Sequence, residues 1–232
     1  MSEQQSLALY AIDLLGSLTK AEIEELGRSC TFFTLAKGAS ALERNNQGSD
    51  LFLVLKGIAA AKGYSVEGKE VHFGNFAAGQ IFGEFSAIDG QPRSATIEAV
   101  EDCMFATMPS GTFRNLIATH PEVGLKIAEL LVSKIRVLTR RVFEYSTMPV
   151  NERLYAELVR LLDESIERDA GIIRPAPSHY EIATRLSTHR EAVSKELAVL
   201  VKKGIVETGR KMIRVLDVER LRALAHYDSE PS

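Results

Sequence analysis

The stretch IFGEFSAIDGQPRSAT, residues 81–96, carries the most informative chemical pattern in the chain. Gly83 allows the backbone to approach a ligand closely, and Arg93 offers a planar fork of N–H donors that suits phosphate oxygens. Ser94 adds a hydroxyl donor, whereas Glu84 is an acceptor that suits a sugar hydroxyl. These residue types together indicate a ligand with both a phosphate and a sugar. From the residues alone, a surface loop with one stray arginine is an equally open interpretation.

The sequence on both sides of this stretch predicts a β domain. From Thr31 to Thr107, short runs of β-prone residues alternate with turns that contain glycine. Many short strands at this spacing are typical of a β-barrel, roll or sandwich. Before them, apolar residues at a helical spacing predict a helix over Ser6–Leu18. Thr19 and Glu22 then form a candidate capping box for a second, short helix.

A long helix with an apolar stripe follows the β region. It begins near Pro121, where the missing N–H has no cost, and runs to about Tyr145. The stripe repeats at spacings of three and four residues, as in a coiled coil. Its members are Ile127, Leu131, Ile135, Leu138, Val142 and Tyr145. The stripe indicates a dimer seam, although one side of an ordinary domain helix has the same spacing. Thr147-Met148-Pro149 then interrupts the helical pattern and predicts a hinge.

The remaining sequence predicts three helices and a hairpin. A helix over Asn151–Arg168 is followed by helices over Tyr180–Leu186 and Arg190–Lys203, with a three-residue turn between the last two. Gly204 ends the third helix, and Gly209-Arg210-Lys211 is typical of a tight hairpin turn. The order of helix, turn, helix and hairpin predicts a winged helix-turn-helix.

The last of these helices carries a candidate base-reading face. Arg190, Glu191 and Lys195 fall on one side of it because of their spacing. Arginine suits the O6 and N7 acceptors of guanine, and glutamate accepts a hydrogen bond from cytosine N4. From the residues alone, an ordinary helix with a Glu191–Lys195 charge pair is the alternative.

Composition and charge restrict the class of protein. The chain has 232 residues, a net charge of −3 and 45% hydrophobic residues, which are values of globular domains. Residues 185–214 hold eight Lys or Arg against three Asp or Glu. This local excess suits a phosphate backbone, although on charge alone a solvated helix face is equally open. The first residues lack the pattern of a signal peptide, no apolar run reaches the length of a membrane span, and the two cysteines are far apart. We therefore expect a cytoplasmic protein without metal or membrane contact.

Residues 81–96 resemble the phosphate-binding cassette of the cyclic-AMP receptor protein family, the CRP/FNR regulators. The pattern of that family is Phe-Gly-Glu, a short loop and then Pro-Arg-Ser-Ala-Thr. The flanking stretches Leu53–Gly57, Gly68–Glu70 and Ala99–Asp102 match as well, and the resemblance covers nearly the whole chain. It implies that Glu84 bonds the ribose 2′-hydroxyl of a cyclic nucleotide. The other residues that it places at the cyclic phosphate are Arg93, Ser94, Gly83 and the amide of Phe85 or Ser86.

The family reads the base from the long helix, where the cyclic-AMP receptor itself has two adjacent hydroxyl residues. Counted from Arg93 without gaps, these positions fall on Leu138 and Thr139. Thr139 retains the hydroxyl that reaches the base bound to the partner subunit, whereas Leu138 departs from the pattern. A threonine hydroxyl donates or accepts, so it suits adenine or guanine. We expect cyclic AMP as the ligand, with cyclic GMP as the alternative.

The resemblance also covers the reading helix. Family members carry Ser-Arg-Glu-Thr-Val-Xaa-Arg at its start, and this chain has HREAVSK at residues 189–195. The retained Arg-Glu pair implies TGTGA-like half-sites in a near-palindromic operator. The departures at His189, Ala192 and Lys195 affect phosphate contacts or outer base preferences. Candidates for phosphate contacts, which position the protein without specifying sequence, are Ser178, Tyr180, Thr188, His189 and Lys211.

These observations predict an α+β protein in three parts. Residues 1–120 form a cyclic-nucleotide-binding β-roll, residues 121–147 a dimerisation helix and residues 148–232 a winged helix-turn-helix DNA-binding domain. We expect a homodimeric transcription regulator whose partners are double-stranded DNA and RNA polymerase. We expect no catalytic residues, because no nucleophile–base pairing or metal-ligand spacing is evident. Two alternatives are a regulator of the same architecture that answers to another ligand or to none, and a nucleotide-binding protein whose C-terminal region contacts protein instead of DNA.

Overall fold

The computed structural model describes residues 3–66, 68 and 70–225. Lys69 and the outer ends of the predicted domain ranges, residues 1–2 and 226–232, lie outside the described residues. The chain packs into two compact units, Met1–Ile135 and Arg136–Ser232. Helices and strands are mixed, so the predicted α+β class is confirmed. The boundaries predicted at residues 120 and 147 stay predictions.

The first unit is built on two four-stranded antiparallel sheets, with strand orders β1-β8-β3-β6 and β2-β7-β4-β5. The strands are β1 (Thr31–Leu35), β2 (Ser40–Leu42), β3 (Leu51–Lys56), β4 (Ile58–Tyr64), β5 (Glu70–Ala77), β6 (Ile81–Phe82), β7 (Thr96–Ala99) and β8 (Cys103–Met108). The helices are α1 (Glu3–Tyr10), α2 (Lys20–Ser29), α3 (Glu84–Asp89), α4 (Ser110–Thr119) and α5 (Pro121–Thr147), which continues past Ile135.

Strand β3 pairs with both β8 and β6, and its first five residues, Leu51–Leu55, are all buried. Side chains alternate between the two faces of a strand, so an apolar run of this length needs cover on both faces. Leu51, Leu53 and Leu55 pack in the core that includes the helices. Phe52 and Val54 pack in the second core, between the two sheets. The continuous apolar run therefore reflects a central strand and not a helix.

The helix predicted over Ser6–Leu18 is wrong in extent. Helix α1 ends at Tyr10, and only a single 3-10 turn follows, over Asp13–Leu15. The chain turns away because the Asp13 N–H donates to the carbonyl of Gly79 (3.0 Å) instead of continuing the helix. Of the apolar residues at helical spacing, Leu14, Leu15 and Leu18 are buried in the core of the first unit, whereas Leu7 is 62% exposed.

The predicted capping box at the start of α2 is confirmed. The Glu22 N–H donates to Thr19 Oγ1 (3.4 Å), and the Thr19 N–H donates to Glu22 Oε2 (2.7 Å). Hydrogen bonds from the Thr19 side chain and backbone hold the pKa of Glu22 at about 2. The box satisfies backbone groups that a helix start leaves without partners.

The second unit contains the end of α5, four further helices and a three-stranded sheet of order β10-β11-β9 among its described residues. The elements are α6 (Val150–Asp163), β9 (Ile172–Ile173), α7 (His179–Arg185), α8 (Arg190–Lys202), β10 (Val206–Gly209), β11 (Met212–Val215) and α9 (Val218–Leu224). The predicted helix-turn-helix and hairpin are confirmed. The helix predicted over Asn151–Arg168 ends early, at Asp163, because the chain turns back to pair β9 with β11.

The apolar residues of the α5 stripe differ in exposure along the helix. Ile127 is buried in the core of the first unit, and Leu131 packs against that core. Ile127 therefore does not contribute to a seam between chains. By contrast, Ile135, Leu138 and Val142 are 60%, 50% and 64% exposed in the single chain. Exposed apolar residues at this spacing are typical of a helix that packs against another helix.

Phe105 provides a test of the core between the two sheets. The ring is fully buried, with its centroid 5.6 Å from that of Phe82 and 5.5 Å from that of Phe33. We expect Phe105→Ala to lower the free energy of unfolding by about 3–5 kcal/mol, because it removes the ring and leaves a cavity. Chemical denaturation measures the loss. The control is Phe73→Ala, at a side chain 44% exposed, for which we expect a clearly smaller loss. Equal losses would contradict the placement of Phe105.

Candidate functional site

Gly83 lies between β6 and α3 in a left-handed conformation, with φ 82° and ψ 7°. A Cβ at this position would lie 2.7 Å from Arg93 Nη1 and 3.1 Å from the carbonyl oxygen of Asp50. The position therefore requires glycine for its conformation and for its lack of a side chain. The group that approaches Gly83 so closely is the guanidinium of the chain's own Arg93.

Arg93 is only 4% exposed, and two of its N–H groups are held by backbone carbonyls. Nη1 donates to Gly83 (3.2 Å), Nη2 donates to Asp50 (2.8 Å), and the guanidinium lies 5.4 Å from the ring centroid of Phe52. Burial lowers the pKa of Arg93, although Asp50 and Glu84 oppose this effect. Its Nε has no hydrogen-bond partner among the described residues. A buried donor without a partner is costly, so it marks a place for an acceptor.

A cavity of about 340 Å³ lies beside Arg93. The segment between β2 and β3 forms much of its wall and is tied to the cassette, residues 81–96, by two backbone hydrogen bonds. The Asn45 N–H donates to the Arg93 carbonyl (2.9 Å), and the Arg93 N–H donates to the Asn46 carbonyl (3.1 Å). The polar side chains in the wall are Ser40, Glu43, Asn46, Gln47 and Asp50. The sequence analysis did not identify this segment as part of a site. Its only local feature is a run of polar residues before Gly48.

Glu84 is buried at the start of α3 and is paired with a residue that the sequence did not indicate. Lys134, on α5, donates from Nζ to Glu84 Oε1 at 2.6 Å. The same ammonium lies 5.2 Å from the ring centroid of Phe76 and 5.5 Å from that of Phe85. The carboxylate predicted for a sugar hydroxyl thus already has a cationic partner. A ligand hydroxyl at Glu84 must share the carboxylate with Lys134 or displace it.

The remaining predicted ligand contacts differ in exposure. Ser86 is buried and Phe85 is exposed, both in the first turn of α3, where backbone amides lack acceptors within the helix. Ser94 is exposed, next to Arg93. The structure therefore brings the cassette residues together around Gly83. Leu138 and Thr139 lie on α5 in the second unit, and both are exposed.

Helix α8 has one buried side and one exposed side. Val193 and Leu197 are buried in the core of the second unit, whereas Arg190, Glu191 and Lys195 are exposed. The predicted base-reading residues are thus available to a partner. The predicted phosphate contacts lie at the start of α7 (Ser178 and Tyr180), in the turn before α8 (Thr188 and His189) and at the hairpin tip (Lys211). Four of these five are exposed, and Thr188 is half-buried.

Two hydrogen bonds that sequence reasoning missed hold α8 in place. His179 Nδ1, at the start of α7, lies 2.8 Å from Ser194 Oγ. The Tyr155 hydroxyl, on α6, donates to Glu196. Burial, together with Glu196, raises the pKa of Tyr155 to about 12. These bonds fix the rotation of α8, and therefore the direction of its exposed side. No local sequence pattern predicts them, because each joins residues on different elements.

Neither cysteine has the environment of a reactive thiol. Burial raises the pKa of Cys30 to about 11 and is also the main reason that the pKa of Cys103 is raised. Within residues 3–66, 68 and 70–225, no group of three or more His, Cys, Asp or Glu side chains is placed to hold a metal ion. No helix in that same part of the chain is long and apolar enough to cross a bilayer.

Two family models match the chain. The cyclic nucleotide-binding domain matches residues 32–120, which include the cassette and Arg93. The Crp-like helix-turn-helix domain matches residues 152–224, which include α7, α8 and the hairpin. The two matches thus coincide with the two groups of residues that the structure brings together.

Curated relatives match most of the chain at low identity. The chain is similar to the cyclic AMP receptor protein of Thermus thermophilus, with 26% identity over 205 residues that cover 87% of this chain and 93% of the relative. It is also similar to the CRP-like cAMP-activated global transcriptional regulator of Mycobacterium tuberculosis, with 22% identity over 187 residues that cover 80% of this chain and 84% of the relative.

Solved structures share the fold. A CooA mutant from Carboxydothermus hydrogenoformans has a TM-score of 0.79 at 21% identity and covers 93% of this chain and 95% of its own. The c-di-GMP responsive regulator CLP from Xanthomonas campestris has a TM-score of 0.74 at 18% identity, covering 85% and 99%. The Crp-like helix-turn-helix model and the curated relatives named above are those of transcription regulators and not of enzymes. The chain belongs to the CRP/FNR family of transcription regulators, with a cyclic nucleotide-binding domain and a Crp-like helix-turn-helix domain.

Proposed function

We propose that this regulator binds a cyclic nucleotide at the cassette and, as a homodimer, binds its operator through α8. The observation that carries the proposal is the buried Arg93, which lies beside Gly83 and Glu84 and whose Nε has no hydrogen-bond partner in the part of the chain that the structure describes. A guanidinium next to helix first-turn amides suits a phosphate anion, and a carboxylate next to both suits a sugar hydroxyl. A cyclic nucleotide carries both groups at the required short distance.

In this proposal, different cassette residues bind the phosphate and the ribose of the ligand. Arg93 and Ser94 hold the cyclic phosphate, and Glu84 bonds the ribose 2′-hydroxyl. Gly83 and the amide of Phe85 or Ser86 complete the phosphate site. Because Arg93 is already anchored on two carbonyls, its orientation is fixed before the ligand binds, which reduces the entropy cost of binding.

Cyclic AMP is the proposed ligand, and cyclic GMP is the alternative. The names of the relatives from Thermus thermophilus and Mycobacterium tuberculosis both refer to cyclic AMP, which favours the first. Thr139 contributes a hydroxyl that suits either purine, and Leu138 contributes apolar contact only. Neither residue excludes guanine, so the identity of the base must be measured.

A dimer places two copies of α8 on one operator. The exposed apolar residues of α5, Ile135, Leu138 and Val142, are buried if two copies of the helix pack together. A twofold dimer matches a near-palindromic operator whose half-sites lie one helical turn apart. Arg190 then pairs with guanine and Glu191 with cytosine of a TGTGA-like half-site, with Lys195 beside them. Ser178, Tyr180, Thr188, His189 and Lys211 contact phosphates, and RNA polymerase is the further partner.

A second candidate function is a regulator of the same fold with a different ligand. The observation that favours it is the Lys134–Glu84 ion pair, which occupies the carboxylate assigned to ribose. Leu138 also favours a different ligand, because an apolar side chain replaces a hydroxyl at a base-reading position. Titration with the two nucleotides separates the candidates.

Calorimetric titration with cyclic AMP and, separately, cyclic GMP tests the ligand. We expect saturable binding near one nucleotide per chain. Arg93→Ala should weaken it by about 100-fold, because charge-assisted hydrogen bonds to the phosphate are lost. The matched control, Arg28→Ala, removes an exposed arginine of α2 and should leave the affinity unchanged. Unchanged binding by Arg93→Ala would contradict the assigned site. Absence of heat with both nucleotides would favour the second candidate.

Base reading by α8 is tested on a duplex with TGTGA-like half-sites. We expect Arg190→Ala and Glu191→Ala each to cost about 1–3 kcal/mol and to relax specificity at one base pair. Lys211→Ala should instead weaken binding to all sequences and reduce the salt dependence by about one ion. Arg220→Ala, on α9, is the control with no expected effect. Equal losses on specific and scrambled duplexes for Arg190→Ala and Glu191→Ala would contradict base reading.

A further inference from the structure

The sequence predicts a hinge over residues 147–149, and the structure leaves only Met148 and Pro149 between α5 and α6. Side-chain contacts bridge this break between the two helices. Glu144, in the last turn of α5, accepts a hydrogen bond from Arg160 Nη1 at 2.6 Å. Arg160 is on α6, and its Nη2 lies 3.0 Å from Glu157 Oε2 on the same helix. The end of α5 is therefore tied to the middle of α6.

The same group of contacts continues to α7 and returns to α5. The other carboxylate oxygen of Glu157 pairs with Arg185 Nη1 at 3.1 Å. Arg185 is the last residue of α7, and its backbone carbonyl accepts a hydrogen bond from the Tyr145 hydroxyl at 2.6 Å. Because Tyr145 follows Glu144 in the chain, the contacts form a closed ring. We call its members, Glu144, Tyr145, Glu157, Arg160 and Arg185, the α5–α7 ring.

Four of the five side chains of the ring are largely shielded from water, whereas Tyr145 is 39% exposed. The side chains of Glu144 and Glu157 are 7% and 4% exposed, and those of Arg160 and Arg185 are 18% and 14% exposed. Burial alone lowers the pKa of Arg160, but Glu157 and Glu144 reverse this and raise it. Buried charges persist only with partners, and removing one partner leaves the other uncompensated. The members of the ring therefore hold one another in position.

The ring connects directly to the DNA-reading helix. Arg185 is followed by the turn that leads into α8, where the Thr188 N–H donates to the Ala183 carbonyl of α7 (3.0 Å). His179 of α7 also contacts Ser194 of α8. The orientation of α8 is thus fixed relative to α7, and that of α7 relative to the end of α5.

We propose that Glu144, Tyr145 and Glu157 are positioning residues for DNA recognition. Through Arg160 and Arg185 they join the last turn of α5, α6 and the helix-turn-helix into one body. A rotation of the end of α5 therefore moves α8 with it, and segment 147–149 does not absorb the movement. The hydrogen-exchange part of this inference is independent of the proposed function, whereas its DNA-affinity part rests on the proposed reading of TGTGA-like half-sites by α8.

The test uses the full chain without nucleotide and two ring variants, Tyr145→Phe and Glu144→Gln. Tyr145→Phe removes a single hydroxyl and keeps the aromatic group of the side chain. Asp163→Asn is the matched control, because it breaks an ion pair between α6 and Arg222 of α9 outside the α5–α7 ring. Amide hydrogen exchange of residues 179–200 and affinity for the TGTGA-bearing duplex are measured for each.

We expect each ring variant to accelerate amide exchange in α7 and α8 about 2- to 10-fold, because one hydrogen bond is lost. DNA binding should weaken by a similar factor. Asp163→Asn should change neither. Because opening a closed ring at one bond releases the next, the double variant should resemble the stronger single variant and not the product of both. Tyr145→Phe alone carries the test if Glu144→Gln does not fold.

Two results would overturn the inference: exchange in α7 and α8 that matches the wild type in both variants, or effects that multiply in the double variant. Both readouts are obtained without nucleotide, so they are separate from the proposed ligand. If neither cyclic AMP nor cyclic GMP alters DNA binding by the wild type, the proposed control by a nucleotide is wrong and the result for the α5–α7 ring still stands.

Discussion

The first unit is organised around a charge that it has to bury. The guanidinium of Arg93 is stabilised only because two backbone carbonyls, those of Gly83 and Asp50, and the ring of Phe52 surround it. Each of these contacts imposes a condition on the fold. Gly83 must be left-handed and lack a side chain, and the segment between β2 and β3 must lie against the cassette. The Nε of Arg93, which has no hydrogen-bond partner among the described residues, is the donor that we propose for an anion.

The second unit also buries charged side chains, but it neutralises them in a different way. Its buried charges, centred on Glu157, are compensated by one another rather than by the backbone. Their partners lie on α5, α6 and α7, so the neutralisation of charge also fixes the geometry of three helices. A buried ionic group is weak evidence for stability, but it specifies one arrangement when its partners lie on separate elements. Here that arrangement sets the direction of the exposed side of α8.

The parts that could be predicted from sequence are those whose determinants are close together in the chain. The cassette lies within 16 residues, and the α7–α8 pair follows from turn, cap and apolar spacing. The apolar pattern failed over Ser6–Leu18, because a bond from Asp13 to the distant Gly79 bends that segment. Lys134 at Glu84 and Tyr145 at Arg185 were missed because the partners are 50 and 40 residues apart. Such pairs depend on how helices pack, which periodicity within one helix does not determine.

The central claim is that a cyclic nucleotide bound at Arg93 controls the affinity of α8 for DNA. Its most direct measurement is the affinity of the full chain for a duplex with two TGTGA-like half-sites, by fluorescence anisotropy at one fixed salt concentration. The titration is done without nucleotide, with cyclic AMP and with cyclic GMP. The account predicts that one of the nucleotides raises the affinity at least about five-fold, the lower end of typical allosteric coupling. The same affinity under all three conditions would contradict it.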